Sequence, residues 1–400
     1  MAKIDGPLKG VKVVELAHIM AGPVCGLMLA DMGADVVKIE KIPNGDDSRR
    51  FLPPSIETEA AAFMMMNRNK RGIAIDLKKY TGRSVAQRII NKSDILIENY
   101  RAGTMERLGL GYNKLKKSNP ALVFCAISGF GRTGPYKNRA GFDLIAQGMS
   151  GLMSITGEGP NKPPIKVGGP ITDITSGILA AMGILAAYTH RLQTGLGQKV
   201  DTSLFEAGII HTYWQSAITF ATGVAPKPMG SAHPLNAPYQ AYETSNGWIT
   251  IGAANQKTWL ALIKALKISE LRSDKRFKTN KDRMENLSQL NNILNKILIL
   301  KSQNAWLKIL EKAGVPAGPI LNTKEMHEDT HAIKRKMVAK AKHSTLGPIK
   351  TIGCPIKFSK TPSSIKMGAP TYGEHTKMIL EEHGYNETEI KNLYANKSVL

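Results

Sequence analysis

A single aspartate stands at the start of the longest apolar segment of this 400-residue chain. Asp173 follows Gly168-Gly169-Pro170 and precedes the small, apolar run Gly177-Ile178-Leu179-Ala180-Ala181-Met182-Gly183. An aspartate before an apolar helix is commonly its N-cap, whose carboxylate accepts a hydrogen bond from an amide two or three residues on. A carboxylate at a dry, positively polarised helix start can also be poised as a nucleophile. Both interpretations remain open from these residues, and the upstream glycines would let the backbone approach a ligand closely.

Other common catalytic and metal-binding motifs are missing. The turn after the first predicted strand, residues 17–23, has one glycine where a dinucleotide fingerprint needs three, so no nicotinamide cofactor is expected. No Walker loop, His-Glu-x-x-His helix or Gly-x-Ser-x-Gly elbow occurs. The nine histidines form no pair at metal-ligand spacing, and the three cysteines contain no Cys-x-x-Cys pair. We therefore expect neither a metal site nor a disulfide framework.

The segments that would position Asp173 alternate between strand and helix. Strands are predicted at residues 11–16, 34–39, 73–75, 94–97 and 122–127, with helices at 25–32 and 80–90. This order predicts an α/β fold with a parallel sheet covered by helices on both faces. A long helix is expected from Asp173 to His190, and another over residues 203–220.

A second domain is predicted after a proline-rich linker at residues 225–234. Asn246-Gly247 lies between two alternating apolar segments and predicts a hairpin with a type I′ turn. Helical periodicity dominates residues 258–313, short strands are expected near 347–352, and helices begin near 374 and 386. Asn386 and Glu389 have capping-box spacing.

The charge and hydropathy patterns argue against two classes of protein, nucleic-acid-binding proteins and membrane proteins. The net charge of +22 raises the possibility of nucleic-acid binding. The clusters of Lys and Arg are short and scattered along the chain, however, and no aromatic RNA-binding signature accompanies them. The longest apolar run, residues 177–188, is too short to span a bilayer, and no signal-peptide pattern opens the sequence. We expect a cytoplasmic protein without nucleic-acid or membrane partners.

Several short strings, in order along nearly the whole chain, resemble one enzyme family. They are Leu8-Lys9-Gly10-Val11-Lys12-Val13, Ala21-Gly22-Pro23, Gly33-Ala34-Asp35-Val36-Val37-Lys38-Ile39-Glu40, Asn67-Arg68-Asn69-Lys70-Arg71, Glu98-Asn99-Tyr100-Arg101-Ala102-Gly103, Ser128-Gly129-Phe130-Gly131-Arg132-Thr133-Gly134-Pro135, Asp173-Ile174-Thr175-Ser176-Gly177, Thr194-Gly195-Leu196-Gly197-Gln198 and Gly373-Glu374-His375-Thr376. The set resembles the class III CoA-transferases, which include formyl-CoA transferase and the carnitine-CoA transferases.

The resemblance implies an enzyme that moves CoA from an acyl-CoA to a free carboxylic acid. Asp173 would attack the thioester and form first an acyl anhydride and then an aspartyl-CoA thioester. CoA and acyl-CoA would be substrates, and no tightly bound cofactor or metal would be needed. The implied CoA contacts are His18, Ile19, Met20, Ala21, Lys41, Ile75, Lys78, Asn99, Tyr100, Arg107 and Phe142.

The resemblance also implies an architecture. A large Rossmann-like α/β domain would have a parallel sheet built from both ends of the chain, residues 1–224 and 331–400. A smaller central α+β domain would occupy residues 225–330. Two such chains would form an interlocked homodimer.

The sequence leaves two alternative functions to consider. Acyl-CoA racemases of the same fold carry a histidine in a Gly-His-Asp triplet, whereas this chain has Gly141-Phe142-Asp143, and phenylalanine cannot transfer a proton. The other alternative is a basic nucleic-acid-binding protein that only retains the fold.

Two segments bear on the choice of substrate. Formyl-CoA transferases carry consecutive glycines after the linker, and residues 236–256 have none, which argues against formyl-CoA and oxalate. Gly230-Ser231-Ala232-His233-Pro234 and Pro238-Tyr239-Gln240-Ala241 resemble the branch that uses succinyl-CoA with dicarboxylic acceptors.

Overall fold

The computed structural model describes residues 6–400. Within that range the strands are β1 (Lys12–Leu16), β2 (Asp35–Lys41), β3 (Ser55–Ile56), β4 (Glu59–Ala60), β5 (Lys70–Ile75), β6 (Ile95–Glu98), β7 (Val123–Ser128), β8 (Lys199–Ser203), β9 (Tyr239–Thr244), β10 (Gly247–Gly252), β11 (Ala317–Pro319), β12 (Val338–His343) and β13 (Gly347–Ile352).

The α-helices are α1 (Ala21–Asp31), α2 (Ala61–Met66), α3 (Tyr80–Asn91), α4 (Thr104–Arg107), α5 (Tyr112–Ser118), α6 (Asp143–Met149), α7 (Leu152–Ile155), α8 (Ile171–Thr194), α9 (Leu204–Ile210), α10 (Tyr213–Thr222), α11 (Gln256–Ala265), α12 (Asn280–Glu285), α13 (Leu287–Leu298), α14 (Gln303–Lys312), α15 (Thr323–Glu328), α16 (Thr330–Lys334), α17 (Thr376–Glu382) and α18 (Glu387–Ala395). Short 3-10 helices cover Asp47–Arg50 and Ser269–Arg272.

The chain forms two compact units. The first contains residues 6–151, 167–211 and 330–400, and the second contains residues 152–166 and 212–329. The second unit thus begins before the proline-rich linker predicted at residue 225, because α10 belongs to it. It also includes the earlier segment 152–166, whose Gly157 carbonyl accepts a hydrogen bond from Gly230 N–H at 2.9 Å.

The first unit is built on a six-stranded sheet in the order β5-β2-β1-β6-β7-β8, in which every neighbouring pair is parallel. Its central strands are apolar almost throughout, as expected for strands covered on both faces. The α/β prediction is confirmed. The expectation that the C-terminal part adds strands to this sheet is wrong, because β12 and β13 pair only with each other and Val399 makes a single antiparallel bridge to Ile75.

Helices cover both faces of this sheet. One apolar core joins the sheet to α3, α17 and α18, through residues such as Ile89, Leu380 and Leu393. The core on the other face joins the sheet to α1 and α8, through residues such as Leu29 and Ile184. The predicted capping box of α18 is confirmed, since Asn386 N–H donates to Glu389 Oε2 and Glu389 N–H donates to Asn386 Oδ1.

Helix α8 is longer than the apolar run that predicts it. It spans 24 residues, so by length and composition the whole helix could cross a bilayer although the apolar run within it is too short; a buried core helix has the same length and composition. The polar residues at both ends continue the helix beyond the apolar run. Within the first unit, α8 packs against α1, α9, β7 and β8.

Residues 203–220 do not form the single predicted helix. They are divided between α9 and α10, and β8, which no pattern predicted, precedes them. Ser203 at the end of β8 caps α9 by accepting a hydrogen bond from Glu206 N–H at 3.2 Å.

The second unit combines the three-stranded antiparallel sheet β11-β10-β9 with helices α11 to α14 around a core that includes Tyr242, Trp259 and Leu294. The predicted hairpin is present, but its turn is displaced by one residue. Thr244 pairs with Gly247, so the loop is Ser245-Asn246, and neither residue has the positive φ of a type I′ turn. Gly247 instead opens β10.

Candidate active site

Asp173 is the third residue of α8 and lies inside the helix. Pro170 occupies the position before the helix and provides no side-chain cap. The N-cap interpretation of Asp173 is therefore wrong. The Asp173 side chain is partly buried, and neither of its carboxylate oxygens receives a hydrogen bond from any residue within 6–400. The carboxylate is left unengaged at the positive end of a long helix.

Burial and a neighbouring carboxylate change the acidity of Asp173. Loss of solvent, assisted by the negative charge of Asp143, raises the pKa of Asp173 to about 7. Asp173 therefore exchanges its proton close to neutral pH rather than in the acidic range of an ordinary aspartate. Only the ionised form of a carboxylate can attack as a nucleophile. An ionised carboxylate that is poorly solvated is suited to that role.

Asp143 fixes the backbone next to Asp173. Its Oδ1 accepts hydrogen bonds from Thr172 N–H at 2.9 Å and from the Thr172 hydroxyl at 2.7 Å. Its Oδ2 accepts one from Gln147 Nε2 at 2.7 Å, and Gln147 Oε1 in turn accepts one from Val167 N–H at 2.9 Å. Asp143 therefore ties α6 to the first turn of α8.

Asp173 faces a cavity of about 430 Å³ at the carboxyl ends of three parallel strands. Strand β1 pairs with β2 on one side and with β6 on the other. The loops that follow β1 and β6 therefore lead to opposite sides of the sheet and leave a crevice between them. Ligands of open α/β sheets bind at such a switch point. The lining consists of His18–Ala21, Asp47, Asn99–Ala102, Thr104, Ile127–Phe130, Lys137–Phe142, Asp173 and Leu204.

The loops after β1 and β6 are joined by hydrogen bonds. Asn99 Oδ1 accepts from His18 N–H at 3.0 Å, and Asn99 Nδ2 donates to the His18 carbonyl at 2.8 Å. The His18 and Tyr100 rings lie 5.9 Å apart. Burial lowers the pKa of His18, although the charges of Asp46 and Asp47 oppose it. The imidazole is therefore mainly neutral at pH 7.

A buried ion pair supports the loop after β6. Arg132 Nη2 donates to Glu98 Oε1 at 2.6 Å and to the Tyr100 carbonyl at 2.8 Å, while Glu98 Oε2 accepts from Tyr100 N–H at 2.9 Å. Burial raises the pKa of Glu98 to about 7 despite the Arg132 charge. This pair fixes the backbone at Tyr100.

Most of the sequence-predicted site residues come together at the cavity. His18, Ile19, Met20, Ala21, Asn99, Tyr100, Phe142 and Asp173 all line it. Lys41 lies at its edge, since its Nζ is 2.7 Å from Oδ1 of the lining residue Asp47. Arg107 does not line the cavity but contacts the lining residue Thr104, since its Nη2 donates to Thr104 Oγ1 at 2.8 Å.

Two predicted CoA contacts lie elsewhere. The Ile75 side chain is completely buried in the core, and Lys78 is an exposed residue in the turn that follows β5. Neither lines the cavity, and their role in CoA binding stays a prediction.

Sequence reasoning missed several lining residues. Three charged residues line the cavity, namely Asp47, Lys137 and Arg139. The negative charge of Asp143 raises the pKa of Asp173. The triplet Gly141-Phe142-Asp143 is the sequence signal that points to Asp143. For Asp47 no signal was evident, because only the tertiary structure brings it to the loop after β1.

The fold and this cavity define an α/β protein with an unbonded carboxylate, Asp173, in the lining of a cavity at the carboxyl ends of the strands. The family model described as CoA-transferase family III matches residues 8–376. The succinyl-CoA:glutarate CoA-transferase of Mus musculus is 35% identical over 392 residues, covering 98% of this chain and 89% of the relative. The acetyl-CoA:oxalate CoA-transferase of Acetobacter aceti is 34% identical over 390 residues, covering 97% of this chain and 98% of the relative.

A solved structure agrees with the fold. The crystal structure of a CAIB/BAIF family protein from Brucella suis superposes with a TM-score of 0.84 at 39% identity, covering 95% of this chain and all of that one. The chain therefore belongs to CoA-transferase family III, and it is a CoA-transferase.

Proposed function

We propose that this CoA-transferase moves CoA from succinyl-CoA to a dicarboxylic acid, with Asp173 as the covalent nucleophile. The observation that carries the proposal is the unbonded, partly buried Asp173 carboxylate, which lines the cavity at the switch point. The mouse relative's name supports the donor and the acceptor class. The relative named for oxalate has nearly the same identity, so overall similarity does not select the acceptor.

The proposed reaction has four steps. An Asp173 oxygen attacks the thioester carbon of succinyl-CoA, the carbon–sulfur bond breaks, and CoA thiolate leaves an aspartyl–succinyl anhydride. The thiolate then attacks Cγ of Asp173 and releases succinate, giving an aspartyl-CoA thioester. The acceptor carboxylate attacks the same carbon and expels the thiolate. The thiolate finally attacks the acceptor's acyl carbon, which releases the new acyl-CoA and free Asp173.

The surroundings of Asp173 support this chemistry. No hydrogen bond from the described part of the chain stabilises the ionised carboxylate of Asp173. Forming a covalent bond at one of its oxygens therefore costs less free energy than it would for a carboxylate that accepts hydrogen bonds. Holding the expelled thiolate in the same cavity makes its return effectively unimolecular. Phe142 lines the cavity where the racemase pattern has histidine, and it offers no group for proton transfer at carbon.

The direct test is to trap the aspartyl intermediate. Incubation with succinyl-CoA and hydroxylamine, followed by peptide mass spectrometry, should find a hydroxamate on the peptide that contains Asp173. Glutarate, oxalate and acetate should then be compared as acceptors, with glutarate expected to react fastest. An unmodified peptide during active turnover would refute the covalent proposal, and a preference for acetate would refute the dicarboxylate assignment.

A homodimer is also part of the proposal. Along α8 the large apolar residues Ile178, Met182 and Leu192 are 47%, 61% and 70% exposed. Their spacing places them along one stripe of the helix, and a second copy of the chain would cover it. Light scattering after gel filtration should give twice the 43.6 kDa chain mass. A monomeric mass at micromolar concentration would contradict this part of the proposal.

A further inference from the structure

Four charged side chains lie buried beneath the loop that follows β1. Glu15, Lys38 and Lys70 are completely buried, and Asp46 is 2% exposed. Lys38 Nζ lies 2.8 Å from both Glu15 Oε1 and Asp46 Oδ2, and Lys70 Nζ lies 2.8 Å from Glu15 Oε2. Two positive and two negative charges compensate one another in a region without solvent, where an uncompensated charge would be strongly destabilising.

The network is bonded to the backbone of the loop above it. Lys38 Nζ donates to the Ala17 carbonyl at 2.8 Å, and Asp46 Oδ1 accepts from Ile19 N–H at 2.9 Å. Lys70 Nζ donates to the Pro23 carbonyl at 2.9 Å. These contacts hold both ends and the middle of the segment that contributes His18–Ala21 to the cavity.

The loop has an unfavourable backbone conformation at Ile19. Its φ is 67°, in the left-handed region that β-branched residues rarely adopt. Such a conformation persists only where the surrounding contacts impose it. Ile19 N–H is bonded to Asp46 from below, while the two bonds between Asn99 and His18 hold the neighbouring residue. Without the contact from Asp46, this residue would tend to relax.

We propose that Lys38 and Asp46 are positioning residues that hold the loop His18–Ala21 in the conformation that binds the CoA part of the substrate. The inference rests on the proposed function, and it assigns a role to charged residues beneath the cavity. Both side chains are inaccessible to substrate, so they act only through the loop backbone.

Both residues keep their charges across the working pH range. Although burial alone would lower it, the carboxylates of Asp46 and Glu15 raise the pKa of Lys38 above its usual value. Burial would likewise raise the pKa of Asp46, but Lys38 and the hydrogen bonds to Oδ1 hold it below its usual value. The positioning contact is therefore present throughout the neutral range.

A second buried ion pair provides a matched control. Arg68 and Asp31 are 2% and 1% exposed, and Arg68 Nη2 lies 2.5 Å from Asp31 Oδ2. Arg68 also donates to Thr351 Oγ1 at 3.1 Å. This pair matches the Lys38–Asp46 pair in burial, but neither partner bonds to the loop. A purely structural role would give similar effects at both pairs.

The experiment compares Lys38→Met, Asp46→Asn and Arg68→Met with the wild-type protein. Asp46→Asn is the milder change, because it removes the negative charge from the oxygen that accepts from Ile19 N–H and turns an amide toward the Lys38 ammonium, which weakens both contacts. The Kd for CoA is measured by titration calorimetry, together with kcat, both KM values and the urea midpoint. We expect Asp46→Asn to raise the Kd for CoA and the KM for acyl-CoA about tenfold. Its kcat at saturation and its acceptor KM should change less than about twofold.

Lys38→Met should show the same pattern where it folds, and Arg68→Met should lower the urea midpoint without changing the Kd for CoA. Wild-type CoA affinity in folded Asp46→Asn, or an equal loss of affinity in Arg68→Met, would overturn the inference while leaving the proposed function intact. Failure of the wild-type protein to bind CoA would instead refute the proposed function, and the inference with it.

Discussion

Oδ1 of Asp143 accepts two hydrogen bonds from Thr172, one from its backbone N–H at 2.9 Å and one from its hydroxyl at 2.7 Å. Thr172 directly precedes Asp173, so the carboxylate of Asp143 is held close to the proposed nucleophile. The same carboxylate orders the first turn of α8 and opposes ionisation of Asp173 by its charge. Asp143 thus helps to set both the position and the acidity of the proposed nucleophile, while burial makes the larger contribution to its raised pKa.

The first prediction concerns the pH dependence of transfer. Only ionised Asp173 can attack, so kcat/KM of the wild-type enzyme should rise with pH through an inflection near 7. Asp143→Asn removes the nearby negative charge while keeping an oxygen for Thr172, so the inflection should move down by about one unit. Rate profiles between pH 5 and 9 measure it. An inflection that stays in place or moves upward would contradict the assigned electrostatic effect.

The second prediction concerns the nucleophile itself. Asp173→Asn should reduce turnover by about 10³-fold or more, because the amide cannot form the anhydride. The Kd for CoA should change less than about twofold, since other lining residues make up most of the cavity. Turnover assays and calorimetry test this pair of expectations. Asp274→Asn, at an exposed ion pair with Arg276 in the second unit, is the control and should retain full turnover.

The third prediction uses the same Asp173→Asn variant to measure stability against pH. The pKa of an unfolded aspartate is about 3.9, whereas burial raises the pKa of folded Asp173 to about 7. Between these values the unfolded chain has lost the proton that the folded protein keeps, so wild-type stability falls as pH rises. The variant lacks this penalty. It should be more stable than the wild type by about 1–2 kcal/mol at pH 8 and about equal at pH 4.

Urea unfolding of both proteins at the two pH values provides the measurement. A variant less stable than the wild type at pH 8 would show that the Asp173 carboxylate stabilises the fold.

The fourth prediction concerns the contact between α1 and α8. A Cβ added at Gly177 would lie 2.6 Å from the Ala21 carbonyl oxygen and 2.9 Å from Val24 Cβ. Gly177→Ala should therefore destabilise the protein by about 1–3 kcal/mol. Gly183→Ala is the control in the same helix, because its added Cβ meets only one methyl group of Val200, at 2.8 Å. Equal urea midpoints for the two variants would show that α1 can move away without cost.

Much of the first unit was predictable because its strands are short apolar segments separated by turns. The five strands expected in residues 11–127 are present within a few residues of their predicted bounds, and so is α3. In contrast, the sequence pattern does not predict β8, because Lys199–Ser203 has a single apolar residue, Val200, among charged and polar ones, and it forms a strand by pairing with β7. The hairpin turn was displaced because cross-strand pairing of Thr244 with Gly247 overrode the local preference of Asn-Gly.

The family, the α/β pattern and Asp173 as a candidate nucleophile can be read from the amino-acid sequence, since they depend on residue types and their order along the chain. Which distant residues act on that carboxylate depends on folding. Asp143 comes within hydrogen-bonding distance of Thr172 through the packing of α6 on α8, and Asp46 reaches Ile19 across 27 positions of sequence. Burial and the distance between charges determine acidity and loop conformation, and both arise only when the chain is folded.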